Sequence, residues 1–195
     1  MFLVVTLLAV TVVSAGAVMG PQISSLKGAV NGRAGFDISL AALDTRSLLY
    51  DSAGNEIFRF VDDGSNRELL ALEDMPEQLI TAVVTIEDAE FFSHPGINLR
   101  ATFRALVENV GAGGISQGGS TISQQLIKNR VLTEAEREER SIPIKIREAV
   151  LSWRMEDDLA KGEILEAYLN SVYFGAGAYG VQAAAEVYFD KDATD

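Results

Sequence analysis

Chemically reactive side chains are concentrated in four segments of this sequence. The first segment contains two adjacent carboxylates, Glu87 and Asp88, followed by the only histidine of the chain, His94. A carboxylate that binds protons near neutral pH can act as a general base. Acidic pairs also cap or solvate helices, and a lone histidine is often structural. The first segment therefore permits acid–base catalysis without establishing it.

The second segment, residues 118–129, reads GGSTISQQLIKN. It combines glycine amides, hydroxyl groups, side-chain amides and Lys128 around a predicted helix start. Such an arrangement can hold an anionic oxygen, because free backbone amides and the positive end of a helix face the ligand. The alternative is a capped surface helix, and these residues alone leave both interpretations open.

The third segment places Lys145 and Glu148 three residues apart, so that one helix face would present both side chains. The alternative is an ordinary surface ion pair, which contributes little to stability. The fourth segment, residues 163–180, is rich in aromatic and small residues, and we expect most of it to pack rather than to react.

The elements that must position these groups are mostly helical. Residues 47–51 and 56–61 have the branched and aromatic content of two strands, and the turn residues at 52–55 predict a hairpin. Thr121 and Gln124 have the spacing of a capping box, which predicts a helix start. Further helices are predicted at 142–159, at 161–169 and after Gly180.

One more helix is predicted after Pro76, a residue suited to the first helical position. At 100° per residue, Glu87 lies at the edge of its apolar face and Asp88 points away from that face. We therefore predict that burial affects Glu87 more than Asp88, which is the asymmetry that makes one carboxylate a base. The apolar face consists of Leu79, Ala82, Val83 and Ile86.

The first twenty residues carry no charged side chain and would span roughly 30 Å as a helix, the thickness of a hydrocarbon core. We predict a transmembrane anchor or signal segment at 1–20 and favour an uncleaved anchor, because signal peptides normally begin with basic residues. Residues 21–46 are predicted to be a juxtamembrane linker, and residues 47–195 one folded domain.

The composition excludes several kinds of site. Because the chain has no cysteine and one histidine, it can form neither a thiolate zinc site nor a multi-histidine metal site, and a metal would need oxygen ligands. The formal net charge of −12 argues against a nucleic-acid partner, since phosphate neutralisation needs a basic surface. Two basic segments, 97–133 and 140–147, nevertheless lie within this acidic chain; alone they would be ordinary solvated helix faces.

Taken in order, the four segments resemble the successive motifs of glycosyltransferase family 51, the peptidoglycan glycosyltransferases. The second motif matches nearly throughout residues 118–129, and Lys145 with Glu148 matches the third. The fourth matches from Ile164 to Gly175, so the resemblance covers roughly half of the chain. The first motif is matched by Glu87, Asp88, Phe91, His94 and Gly96.

The resemblance implies a mainly α, lysozyme-like glycosyltransferase domain with a short N-terminal hairpin and an N-terminal transmembrane helix. It implies a bacterial cytoplasmic membrane protein with its catalytic domain on the outer side. The substrates would be lipid II and the growing glycan chain, with membrane lipids and transpeptidases or other cell wall proteins as partners. The resemblance is compatible with assistance by magnesium or manganese, and no organic cofactor is expected.

The resemblance also implies roles for individual residues. Glu87 would be the general base, and Glu148 would couple to it electrostatically and position the basic partners of a pyrophosphate, or a metal. Phe91 would pack or line the cleft. The expected substrate-binding residues are Asp88, Phe91, Arg104, Ser120, Thr121, Gln124, Gln125, Lys128, Arg140, Lys145 and Arg147.

Some positions depart from the family pattern. Ala89, Glu90, Ser116 and Ile144 stand where arginines are frequent, and we expect weaker substrate binding unless other residues compensate. Family members also continue beyond the fourth motif with further helices and often a transpeptidase domain, so we expect the C-terminal part of the domain to be truncated. Two alternatives remain: a non-catalytic lipid II-binding membrane protein, and a lysozyme-like glycan hydrolase.

Overall fold

A computed structural model describes residues 43–60, 66–98, 119–139 and 141–195. The first element is an antiparallel hairpin of strands β1 (Ser47–Tyr50) and β2 (Glu56–Phe60). Its turn is closed by the carboxylate of Asp51, which accepts hydrogen bonds from the backbone amides of Ala53 and Asn55, both at 2.8 Å. The predicted hairpin is therefore confirmed.

Helix α1 (Glu77–Glu87) follows, with Pro76 at its N-cap rather than at its first position. The predicted apolar face is wrong in its rotation about the helix axis, because Ala82 is exposed and Ile86 is 80% exposed. Nearly every position from 79 to 86 is apolar or a threonine, so several faces qualify from periodicity alone. The residues of α1 that pack into or against the core are Leu79, Ile80, Val83 and Val84.

The remaining predicted helices are all present. The capping box of Thr121 and Gln124 begins α2 (Ile122–Arg130) as predicted. After the short helix α3 (Glu134–Glu138) come α4 (Ile142–Asp158), α5 (Lys161–Ser171) and α6 (Val181–Phe189). Between α5 and α6, strands β3 (Tyr173–Gly175) and β4 (Ala178–Tyr179) form a second small hairpin. The described part of the chain is thus mainly helical.

Helix α2 packs against both α4 and α5, and this contact forms the centre of the core. Apolar side chains at helical spacing on the three helices bury one another, which removes their surface from water. On the opposite side of α2, Lys128 and Asn129 are exposed. The completely buried apolar residues of the three helices are Ile122, Leu126, Ile127, Met155, Ile164 and Leu169.

The fourth sequence segment is largely structural, as predicted. Asn170 is completely buried, and its side-chain amide donates to the carbonyl of Leu70 and accepts from the amide of Leu70, both at 2.8 Å. Glu166 accepts from the amide of Leu72 at 2.9 Å. The polar residues of α5 therefore hold the segment that leads into α1.

No helix within the described ranges is long and apolar enough to cross a membrane. The predicted anchor at 1–20 lies outside those ranges, and so does most of the predicted linker. The last linker residue, Arg46, belongs to the folded body, because its guanidinium binds the carboxylate of Glu186 on α6 through two hydrogen bonds of 2.5 and 2.7 Å.

Candidate active site

A cavity of about 470 Å³ opens between the end of α1, one side of α2 and the first half of α4. Both predicted glutamates border it, although they lie on different helices. Side-chain amides, a hydroxyl and two lysines complete the border, so the cavity is polar and carries charges of both signs. Its lining residues are Ile86, Glu87, Ser120, Gln124, Gln125, Lys128, Asn129, Lys145 and Glu148.

Glu87 and Asp88 lie in opposite environments, and the predicted order of their burial is wrong. Glu87 is the last residue of α1 and is exposed, whereas Asp88 is 7% exposed. The reason is that Asp88 caps the helix with φ −160° and ψ 75°, so the helical angle of 100° per residue does not extend to it. Glu87 is therefore free to meet a ligand in the cavity, and Asp88 is not.

The carboxylate of Asp88 joins the first motif to the second. His94 Nε2 lies 2.8 Å from Asp88 Oδ2, and the backbone amide of Ile122 donates to the same oxygen at 3.1 Å. Ile122 is the first residue of α2, so the negative charge of Asp88 also faces the positive end of that helix. We expected Asp88 to bind substrate; the structure gives it partners within the protein instead.

Thr121 is also buried behind the cavity, where it caps α2. Its hydroxyl accepts from the amide of Gln124 at 3.1 Å and donates to the carbonyl of Gly96 at 2.6 Å. Gly96 has φ +81°, and a Cβ there would lie 2.6 Å from the carbonyl oxygen of Ser152 on α4. Only glycine allows this approach, which fixes the first-motif loop between α2 and α4.

Phe91 is completely buried and does not border the cavity. The ammonium group of Lys161 lies 4.3 Å from the centre of its ring and donates to the carbonyl of His94 at 2.8 Å. Lys161 also forms an ion pair of 2.6 Å with Glu156. Of its two expected roles, packing is the one that the structure gives to Phe91.

Lys145 and Glu148 form the expected pair on one face of α4. It is not an ordinary surface ion pair, because Glu148 is 5% exposed although half of the Lys145 side chain is exposed. Lys145 Nζ also donates to Ser120 Oγ at 2.9 Å, which ties the residues before α2 to α4. Lys128, which borders the same cavity, is exposed and makes no ion pair with the described residues.

The other basic residues expected at the site are not brought to the cavity by the described part of the chain. Arg147 is ion-paired with Glu136 on α3 and does not border the cavity. Arg104 and Arg140 lie outside the described residues. Five of the expected substrate-binding residues therefore border the cavity with the two glutamates: Ser120, Gln124, Gln125, Lys128 and Lys145.

One residue near the site has no counterpart among the sequence predictions. Tyr168 on α5 is 3% exposed, and its hydroxyl donates to Gln125 Oε1 at 3.1 Å, while Gln125 Nε2 donates to Glu87 Oε2 at 2.8 Å. Burial raises the pKa of Tyr168, and the charge of Glu87 raises this pKa further. The sequence places Tyr168 among core residues such as Leu165 and Leu169 and does not show that its hydroxyl contacts Gln125, 43 residues away.

The described residues contain no group of three or more histidine, cysteine, aspartate or glutamate side chains that could hold a metal ion. Within the cavity, the carboxylate of Glu148 already contacts Lys145, and that of Glu87 accepts from Gln125. Magnesium often uses one or two carboxylates together with phosphate oxygens of the substrate. The donor set therefore fits such an ion only when a phosphorylated substrate supplies the other ligands.

Comparison with known proteins shows similarity over most of the chain. The transglycosylase family model matches residues 53–195. Penicillin-binding protein 4 of Bacillus subtilis is 37% identical over 188 residues, which cover 96% of this chain and 29% of that protein. Penicillin-binding protein 1A of Aquifex aeolicus is 43% identical over 148 residues, 76% of this chain and 19% of that protein. Penicillin-binding protein 1F of Bacillus subtilis is 37% identical over 153 residues, 78% of this chain and 21% of that protein.

The chain spans less than a third of the length of these relatives. The family match, in contrast, extends over most of the chain and includes both glutamates of the cavity. On this evidence the chain belongs to the transglycosylase family, glycosyltransferase family 51, and carries a glycosyltransferase domain of the kind found in penicillin-binding proteins.

Proposed function

We propose that this chain is an inverting peptidoglycan glycosyltransferase that polymerises lipid II into β-1,4-linked glycan strands and releases undecaprenyl pyrophosphate. The observation that supports this most directly is the shared cavity, which is bordered by two carboxylates and two lysines. Glycosyl transfer to a sugar hydroxyl needs a base on one side and charge neutralisation on the other. The cavity offers both kinds of group.

Glu87 is the proposed base. It would take the proton of the acceptor sugar's 4-hydroxyl as that oxygen attacks the anomeric carbon of the donor. The bond from this carbon to the pyrophosphate oxygen breaks, the electron pair leaves with undecaprenyl pyrophosphate, and the configuration inverts. Because Glu87 is exposed at the end of α1, a sugar hydroxyl can reach it, and the bound substrate would displace water from it.

Lys128 and Lys145 are the proposed partners of the pyrophosphate. Negative charge accumulates on the leaving group in the transition state, so cations that are already in place lower the barrier, and each ~1.4 kcal/mol is a tenfold gain in rate. Glu148 would hold Lys145 in position through their ion pair. Ser120, Gln124 and Gln125 would bind phosphate and sugar groups at the start of α2.

A divalent ion, magnesium or manganese, would be held by Glu148 together with pyrophosphate oxygens. When bound, it would supply further neutralisation of the leaving group. No organic cofactor is proposed. Arg104 and Arg140 stay candidates for substrate binding, whereas Arg147 would first have to leave Glu136.

The proposed substrates also suggest a location and partners. Lipid II and a nascent glycan chain are anchored in the membrane by polyprenyl tails, so we propose an inner-membrane protein whose catalytic domain faces the outer side. The uncharged residues 1–20 would be its single membrane anchor. Transpeptidases and other cell wall synthesis proteins would then be partners that act on the same strands.

The test is polymerisation of fluorescent lipid II in detergent by the parent chain and by Glu87→Gln, with and without magnesium. We expect polymer from the parent and a loss of at least about 100-fold in the variant, because general base catalysis is worth about that much. Glu77→Gln is the matched control, since it makes the same change on an exposed residue of the same helix.

Two results would contradict the proposal. If the parent binds lipid II without forming polymer, the chain is a non-catalytic lipid II-binding protein. If it cleaves finished peptidoglycan without polymerising lipid II, it is a glycan hydrolase. Equal activity of Glu87→Gln and the parent would refute the assignment of the base while leaving the reaction in place.

A further inference from the structure

The side chain of Gln125 lies between the proposed base and a buried tyrosine. Its Nε2 donates to Glu87 Oε2 at 2.8 Å, and its Oε1 accepts from the Tyr168 hydroxyl at 3.1 Å. We propose that Tyr168 and Gln125 are positioning residues: the buried phenol holds the Gln125 amide in the orientation that donates a hydrogen bond to Glu87. This inference rests on the proposed role of Glu87 as the base.

The two partners of Gln125 together determine which way its amide faces. In the opposite orientation, the amide oxygen would face the ionised carboxylate of Glu87, which has no proton to donate. Tyr168 could accept a hydrogen bond from a reversed amide, but the repulsion at Glu87 would remain. The observed orientation is therefore the one in which all three side chains are satisfied.

The residues that hold Gln125 are buried, whereas the proposed base, Glu87, is exposed. Tyr168 is 3% exposed on α5, and Gln125 is followed on α2 by Leu126, which is completely buried. Glu87, in contrast, ends a helix at the surface and has several rotamers available. A hydrogen bond from a fixed donor selects among those rotamers, so the base is oriented before substrate binds.

Tyr168 keeps its proton throughout the working range of such an enzyme. Burial raises the pKa of this phenol, and the nearby charge of Glu87 raises it further. The hydroxyl is therefore a donor toward Gln125 at neutral pH.

Three variants test the inference: Tyr168→Phe, Gln125→Met and the double variant. We expect Tyr168→Phe to lower kcat on lipid II roughly tenfold with little change in KM, since orientation of the base is lost. Gln125→Met should lower kcat at least as much and should also raise KM, because Gln125 is a proposed ligand of the substrate. The double variant should be no slower than Gln125→Met, because Tyr168 acts through Gln125.

Tyr188→Phe is the control. It also removes a hydrogen-bonded phenol, whose hydroxyl donates to the carbonyl of Phe174 at 2.9 Å, but it lies away from the cavity. Its kcat and KM should equal those of the parent. Multiplicative losses in the double variant would overturn the inference. So would a loss of activity in Tyr168→Phe that accompanies a lower Tm and a raised KM, because a purely structural role predicts that pattern.

A second readout does not depend on turnover. The orientation of Glu87 can be followed by NMR of glutamate-labelled chains, in which three-bond couplings report how many rotamers the side chain samples, with Glu87→Gln to assign the signal. If the parent makes no polymer but Glu87 samples more rotamers in Tyr168→Phe, the proposed function fails and the positioning contact stands. If the parent polymerises lipid II and the couplings do not change in either single variant, the positioning inference fails alone.

Discussion

At the scale of single residues, Glu87 and Asp88 differ because a helix ends between them. Glu87 keeps helical geometry and faces solvent, and Asp88 turns inward to His94 and the first amide of α2. The residue types and the motif could be recognised in the sequence. Their burial could not, because a rotation of 100° per residue applies only within a helix, and the sequence does not mark where α1 stops.

Asp88→Asn should destabilise the fold. The amide has nearly the same shape as the carboxylate, but it lacks the charge that faces His94 and the start of α2. We expect the free energy of unfolding to fall by about 1–2 kcal/mol, the usual size of a charge-assisted contact at a helix end. Urea unfolding measures this, and Asp157→Asn on the exposed side of α4 should change stability by less than about 0.5 kcal/mol.

Lys145→Met should also destabilise the fold, since it leaves the buried carboxylate of Glu148 without its cation. A loss of about 1–2 kcal/mol is expected, because half of the lysine is in solvent. Adding Glu148→Gln should restore most of the stability, as the buried charge is then gone, but should not restore polymerisation. Equal stability of the single and double variants in urea would show that the ion pair is not coupled in this way.

At the scale of elements, the predictable features are those that nearby residues determine. The hairpin turn at 52–55, the capping box that begins α2 and the ends of α4 all follow from residues within four positions of one another. The rotation of α1 does not, because it depends on which face of that helix packs against the core. The same holds for Asn170, whose buried amide serves a backbone segment 100 residues earlier.

Gly96→Ala tests how tightly the first-motif loop is held between α2 and α4. The substitution combines a φ of +81° with a Cβ placed 2.6 Å from the carbonyl oxygen of Ser152. We expect a loss of about 2–4 kcal/mol in urea unfolding, from strain and from displacement of the loop. Gly54→Ala is a matched control, since Gly54 has φ +86° but open space around its Cβ. Its cost should be about 1 kcal/mol, and a similar cost for both would show that no clash occurs at Gly96.

At the scale of the whole molecule, the site is assembled from residues that are distant in sequence. Glu87, Gln125, Glu148 and Tyr168 come from α1, α2, α4 and α5. The resemblance to the family's motifs implied that Glu87 and Glu148 lie near one another, and both border the same cavity. It could not predict that Gln125 would contact Glu87, or that Asp88, Phe91 and Thr121 would lie behind the cavity, because packing between helices decides those contacts.

Ion pairs from two arginines connect the N-terminal hairpin region to the last helix. Arg46 and Arg59 both bind the carboxylate of Glu186 on α6, Arg59 at 2.7 Å. Burial alone would raise the pKa of Glu186, but the hydrogen bonds from Arg46 and Arg59 outweigh it and hold this pKa below 4.5. The stabilisation is therefore present above pH 4.5 and is lost as the pH falls through the lower value in the folded state.

Glu186→Gln should accordingly lower the free energy of unfolding near pH 7 by roughly 1 kcal/mol, since the group is partly exposed. The difference from the parent should shrink as the pH falls well below 4.5, where the parent carboxylate is protonated too. Urea unfolding at several pH values measures this difference. A difference that stays constant down to the lowest pH would contradict the assigned ion pairs.

The Arg46–Glu186 contact also has a consequence for the order of folding. Its partners are 140 residues apart, so closing this loop costs more chain entropy than any neighbouring contact, and a growing chain cannot make it until α6 has been synthesised. We therefore expect the contact to be absent from the rate-limiting step of folding. Glu186→Gln should then leave the refolding rate nearly unchanged and should unfold faster than the parent. In that case the hairpin is the last part to dock during folding and the first to detach during unfolding.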